Sequence, residues 1–218
     1  MQSIERRPRG TVCLATGRTV EPVYAVIHQG ADLTHHRLFL LDEFGGLPSG
    51  DPARCAVMIE RSLPSTRHQV VGPDVDSGHP EQAALDYRAL IAETGIDLAI
   101  VGLGGNGHIG MNEPGSGPAT VTRVVRLAPE TQDNAVRSYR ATTRPTWGIT
   151  VGMAELLAAD EVVVLVSGSH KREIIARLLG ESPGAHLPAS LLSSHENARL
   201  IIDGSAAADL TGISRSGW

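Results

Sequence analysis

The chain alternates between short apolar runs and longer stretches whose apolar residues recur at helical spacing. "TVCLA" (11–15), "RLFLL" (37–41), "DLAIVGL" (97–103), "TRVVRL" (122–127), "EVVVLV" (161–166) and "ARLIID" (198–203) have the length and the β-branched or aromatic content of strands. Runs as uniformly apolar as "VVVLV" predict strands covered on both faces, which is how a parallel sheet flanked by helices reads in sequence. Helices are predicted to open near Pro22, at Asp51 followed by Pro52, at Pro80 with a stop at Gly95, and at Ser169, which can cap a segment ending at Gly180. The order is mostly strand–helix–strand. No internal repeat or shift in composition marks a boundary, so residues 1–218 read as one α/β domain. The predicted architecture is a doubly wound, mostly parallel sheet, Rossmann-like, with helices on both faces. Ligands of such sheets bind beyond the carboxyl ends of the strands, so chemistry is sought in the loops that follow strands.

Composition narrows the partners. The 218 residues, 41% of them hydrophobic, suffice for one full core. Nineteen Lys and Arg against 24 Asp and Glu give a net charge of −5, with no basic stretch to neutralise a phosphate backbone or an anionic lipid surface. Nucleic acid and membrane partners are therefore not expected. The start, "MQSIERRPRG", lacks the apolar stretch of a signal peptide, and "VVVLV" is far short of a membrane span, so a cytoplasmic location is expected. Cys13 falls in a strand-like run and Cys55 in a helical pattern, without metal-ligand spacing; both are read as reduced packing residues.

Three loops after strands carry candidate chemistry. In "VGLGGNGHIGMNEPGSGP" (101–118), Gly102, Gly104 and Gly107 formally satisfy the G-x-G-x-x-G dinucleotide fingerprint. Its context does not, because "MNEPGSGP" cannot continue the helix whose amides would meet a pyrophosphate, and residues 119–129 hold no acidic residue for a ribose. The glycines, Gly104 and Gly107 among them, are instead read as letting a substrate approach backbone, with His108 as the titratable group facing it. Asn106 and Glu113 lie close enough in sequence to bring an amide and a carboxylate to the imidazole. In "LLDEFGGLPSGDP", Asp42 and Glu43 are adjacent on an extended segment and point to opposite sides, so at most one faces a ligand; Asp42 is the candidate general base. In "LATGRTVEP", Thr16, Gly17, Arg18 and Thr19 offer amides, hydroxyls and a guanidinium at a helix N-terminus, a combination suited to a single phosphoryl group. The Walker spacing and its lysine are missing.

Taken in order, these segments resemble the glucosamine-6-phosphate deaminases (isomerising), within a larger set that includes the 6-phosphogluconolactonases. "TGRTV" is similar to the family's Thr-Gly-Ser-Thr-Pro, "LDEFGGLP" to Leu-Asp-Glu-Tyr-x-Gly-Leu-Pro, and "GGNGHIGMNEP" to Gly-x-Asn/Asp-Gly-His-Ile-x-Phe-Asn-Glu-Pro. "LAPETQDNAVR", "PTWGITVGMAELLAADEVVVLVSGSHK" and "PASLLSSHENARLIID" extend the likeness over nearly the whole chain. The His-Ile-x-x-Asn-Glu-Pro run is the most specific, because the lactonases carry Gly-His-Thr followed by a different sequence.

The resemblance implies aldose–ketose isomerisation and hydrolytic deamination of an amino sugar phosphate, glucosamine 6-phosphate first, to fructose 6-phosphate and ammonia, with no metal or organic cofactor. It assigns ring opening to His108 held by Glu113, with Asn106 orienting the ring, and proton transfer between carbons 2 and 1 to Asp42. Phosphate binding falls to the Gly17–Thr19 loop, Arg137 and Lys171. A lactonase and a non-catalytic phosphosugar-binding regulator are the alternatives, and a homo-oligomer is allowed for. Four positions depart from the family pattern. Arg18 replaces a small residue, Val20 a proline, and "DPARC" places Arg54 and Cys55 where the family has serine and tyrosine, near the sugar. The first strand also begins about ten residues in, where the family usually has a helix and more, so exposed sheet surface is expected there unless a partner subunit or a misassigned start accounts for it.

Overall fold

The computed structural model describes residues 2–7, 9–66 and 69–208. In chain order the elements are α1 (Gln2–Glu5), β1 (Thr11–Leu14), α2 (Glu21–Gly30), β2 (Arg37–Leu40), β3 (Asp42–Gly45), α3 (Cys55–Ser62), β4 (Val70–Val71), α4 (Pro80–Thr94), β5 (Leu98–Gly102), β6 (Arg123–Arg126), α5 (Pro129–Tyr139), β7 (Trp147–Thr150), α6 (Met153–Leu157), β8 (Val162–Val166), α7 (Arg172–Gly180) and β9 (Ala198–Ile202). Six strands form one wholly parallel sheet in the order β4-β2-β1-β5-β8-β9.

Alternate residues along each strand feed two separate cores, as the two-residue period of a strand dictates. Cys13, Phe39, Ala99, Val101, Val162 and Val164 face α4, α6 and α7. Val12, Leu14, Leu38, Leu40, Leu98, Ile100 and Leu165 face α2, α3 and α5. This is the doubly wound arrangement expected, and it accounts for β8 being buried at all five positions. Two tyrosines bury their rings and spend their hydroxyls on strand ends: Tyr24 donates to Ala15 O (2.6 Å) and Tyr87 to Leu40 O (2.7 Å), the latter ring meeting Phe39 edge-on at 5.9 Å.

The apolar run 122–127 was expected alongside the other strands, but its core, β6, lies outside the parallel sheet. It pairs with β7, which pairs with β3, in a three-stranded antiparallel sheet. Half-burial of β6 agrees with a strand covered on one face only. The third helix starts at Cys55 rather than at Asp51, whose carboxylate instead accepts from Ala53 N and from Thr142 N and Oγ1, pinning that turn to the chain beyond α5. Ser169 makes no capping bond; Ser169–Lys171 is a 3-10 turn leading into α7. At the start of the chain, α1 buries Ser3 and Ile4, and Arg7 and Arg199 converge on the buried Glu161, so this edge is covered by the chain itself.

The fold positions the site through one feature. The strand β1 has β2 on one side and β5 on the other, so the chain's winding reverses between β1 and β5. The loops leaving those two strands diverge at that point and open a crevice between them.

Candidate active site

A cavity of about 530 Å³ occupies that crevice. The loop after β1 contributes Thr16, Gly17, Arg18 and Thr19; the loop after β5 contributes Gly104, Gly105, Asn106 and His108; the turn after β8 contributes Gly168, His170 and Lys171. Asp42, from β3, completes the chemical set. The structure thus brings together groups that are up to 155 residues apart in sequence, from Thr16 to Lys171.

His108 is held from behind. Its Nδ1 lies 2.7 Å from Asn106 Oδ1 and 3.4 Å from Glu113 Oε2, while Asn106 Nδ2 donates to Glu113 Oε2 at 2.8 Å. A carboxylate can only accept, so the amide must turn its NH2 to Glu113 and its oxygen to His108. Both partners of Nδ1 are then acceptors, which puts the ring proton on Nδ1 and leaves Nε2 with a free lone pair. Thr131, from α5, donates to the other Glu113 oxygen at 2.6 Å. Burial pushes the Glu113 carboxyl up, but hydrogen bonding and charge from His108, with Thr131 and Asn106, outweigh it and hold the group at about 2. Glu113 is therefore an anion throughout the physiological range.

Asp42 is the opposite case. Burial pushes its carboxyl up to about 6, against the lowering effect of the Cys55 thiol, whose Sγ stands 3.5 Å from Oδ1; the negative neighbour Glu43 adds to the rise and His108 opposes it. A buried carboxylate near neutrality suits a general base. Glu43 points the other way, as adjacent strand residues must, and accepts from the amides of Phe44, Cys55 and Ala56, tying β3 to the start of α3.

The glycines serve packing more than substrate approach. A β-carbon on Gly104 would fall 2.4 Å from the His108 ring, so this residue lines the cavity and also makes room for the imidazole. Gly107, at φ +87°, would strike Leu187 at 2.1 Å; it faces the core and does not border the cavity, which corrects its expected binding role.

Three further expectations change. Arg137 is exposed on α5 and is not part of the cavity wall, because it lies about 100° around the helix from Ser138, to one side of the face bearing Thr131, Asn134 and Ser138. Arg54 is buried away from the sugar pocket, bridging Asp76, Glu43 and Leu47 O. Cys55 does pack in the core, but it also borders the cavity, between Thr16 Oγ1 (3.4 Å) and Asp42. Lys171 borders the cavity as expected and donates from Nζ to Leu103 O at 2.7 Å; burial lowers its pKa. The sequence reading missed Thr131, Asn134 and Ser138, although their spacing of three and four places small polar groups on one helical face, a signal open to inspection. Among the described residues no three His, Cys, Asp or Glu side chains gather as metal ligands.

This geometry can be set beside known proteins. The family described as glucosamine-6-phosphate isomerases/6-phosphogluconolactonase matches residues 1–202. The chain belongs to this family. Members similar to it include the glucosamine-6-phosphate deaminase of Beutenbergia cavernae, 34% identical with 95% of this chain and 84% of that protein covered. The corresponding protein of Shouchella clausii is 33% identical, with 96% and 90% covered. Among solved structures of the family, a monomeric glucosamine-6-phosphate deaminase superposes with a TM-score of 0.85 at 29% identity, over 95% of this chain and 90% of that one. The 6-phosphogluconolactonase of Trypanosoma brucei shares the fold, with a TM-score of 0.75 at 19% identity, over 96% and 91%.

Proposed function

We propose that this chain converts glucosamine 6-phosphate and water to fructose 6-phosphate and ammonia. The observation that carries the reading is the pairing, in one cavity, of a buried carboxylate poised near neutrality with an imidazole whose outer nitrogen is free. The similar proteins named glucosamine-6-phosphate deaminase support the choice of substrate.

The phosphate sits at the Gly17–Thr19 amides and hydroxyls with Arg18 and Lys171 as counter-charges, at the N-terminus of α2. Arg18, which borders the cavity where Arg137 does not, is the second cation beside Lys171. From that anchor the sugar reaches towards Asp42 and His108. Through Nε2, His108 takes the proton of the anomeric hydroxyl and returns it to the ring oxygen, opening the ring. Asp42 removes the proton from carbon 2 and delivers it to carbon 1, leaving an imine at carbon 2. Water adds there and ammonia leaves. Glu113 and Asn106 keep the imidazole in the required tautomer and stabilise it when charged. The reaction is an isomerisation closed by a hydrolysis, which places the enzyme among hydrolases as well as isomerases.

A cytoplasmic location agrees with the free thiols of Cys13 and Cys55 and with the fact that, among the described residues, no helix is long and apolar enough to cross a membrane. The deciding experiment is ammonium release from glucosamine 6-phosphate, run beside acid release from 6-phosphogluconolactone. Ammonium at a rate of at least about 1 per second supports the reading. Acid without ammonium makes the chain a lactonase, and silence on both makes it a binding protein.

A further inference from the structure

A second cavity, of about 230 Å³, lies behind the phosphate loop, between α2, α3 and the end of α5. It shares Thr16, Gly17, Arg18, Ser138 and Tyr139 with the active-site cavity, so the two are separated by one layer of residues. Its wall bears three guanidinium groups, Arg18, Arg61 and Arg140, against the single carboxylate Glu21. Among the described residues none of the three guanidinium groups makes a side-chain hydrogen bond or ion pair. Such a concentration is unexpected by composition in a chain of net charge −5. Unpaired like charges repel, so without a partner the grouping costs stability.

Backbone geometry at Arg140 points the same way. At φ +62° it is the only non-glycine among the described residues with positive φ, in a helix-terminal position where glycine or asparagine is the usual occupant. A β-carbon there costs of the order of 1 kcal/mol. The residue kept in that conformation directs a cation to the cavity rather than relieving the strain.

We infer that this second cavity binds a phosphate group carried by a small molecule. Guanidinium forks match phosphate oxygens in pairs, and the hydroxyls of Ser138 and Tyr139 add donors. The volume is below the roughly 300–1,000 Å³ of cavities that enclose drug-sized ligands, so a nucleotide is too large and a phosphate with a compact body fits. Arg18 borders both cavities, and a single guanidinium divided between two anions ties occupancy of the second cavity to phosphate binding in the first.

The test is a count that needs no turnover, so it stands whether or not the deaminase reading does. Equilibrium dialysis of the full chain with labelled inorganic phosphate is expected to give two phosphates per chain. The double variant Arg61→Met, Arg140→Gly, at exposed positions and with glycine suited to the backbone there, should bind one while keeping its turnover of glucosamine 6-phosphate. Lys171→Met should also bind one, losing the other site. Repeating the dialysis with glycerol 3-phosphate distinguishes an organic phosphomonoester from the free ion as the preferred occupant, according to which binds more tightly. One phosphate per wild-type chain, or two that survive in the Arg61→Met, Arg140→Gly protein, would overturn the inference.

Discussion

Gly110 and Asp42 are in direct apposition: a β-carbon added to Gly110 would lie 3.0 Å from Asp42 Oδ2. Two residues after His108, the loop thus rests its bare backbone on the carboxylate, and this contact sets the imidazole-bearing loop against β3. Gly110 also has φ +59°, a conformation that side chains adopt with strain. Gly110→Ala is expected to lose about 1 kcal/mol or more of stability and to displace Asp42 from its working position. Steady-state kinetics should show kcat/KM reduced about 10²-fold, since misplacement by about 1 Å has that effect. Activity equal to wild type would mean that this contact does not set the catalytic geometry.

A base held at about 6 makes the enzyme sensitive to mild acid. Activity requires Asp42 ionised, so kcat/KM should fall as pH drops through about 6. Stability runs the other way. The folded-state pKa lies above the unfolded value, so burying the anion costs stability at pH above about 6, and the cost fades as pH falls towards 4. Asp42→Asn should therefore unfold at higher denaturant than wild type at pH 7.5, by the order of 2 kcal/mol, with the advantage gone near pH 4. Activity should meanwhile drop about 10²–10⁴-fold.

The thiol of Cys55 is the side-chain donor that the structure gives to Asp42. Cys55→Ala removes it and should move the acid limb of the pH–rate profile to higher pH. Cys55→Ser supplies a stronger donor and should move the limb lower. A profile identical in all three proteins would show that the contact leaves the base untouched.

Glu113 acts through His108, and its effect should appear in turnover rather than in binding. Glu113→Gln keeps the shape but removes the anion that supports a charged imidazole, so kcat should fall about 10²-fold with KM little changed. A change in KM alone would assign Glu113 to substrate binding.

Much of this arrangement was legible in the sequence because local chemistry matched global position. The alternation of apolar runs with helices foretold the wound parallel sheet, and the Thr16–Thr19 loop after β1 and the glycine-rich loop after β5 marked both sides of the crevice. Asp42 and Glu43 could be assigned opposite faces from strand geometry alone. What escaped depends on tertiary pairing. Nothing in "TRVVRL" distinguishes a strand of the main sheet from one of the smaller antiparallel sheet, since local apolar pattern does not encode a partner. The outward turn of Arg137 depends on one residue of phase along α5. The approach of Cys55 to Asp42 requires Glu43 to draw the start of α3 against β3, a contact formed only in the fold.

The central claim is that Asp42 carries a proton from carbon 2 to carbon 1 inside a pocket closed enough to keep it. Glucosamine 6-phosphate bearing deuterium at carbon 2, turned over in ordinary water, tests this directly by the position of the label in fructose 6-phosphate. Because Asp42 is only 8% exposed, part of the deuterium should appear at carbon 1 with the wild-type enzyme. Asp42→Asn should form no labelled product at a comparable rate. Transfer of the label by Asp42→Asn as fast as by wild type would contradict the assignment.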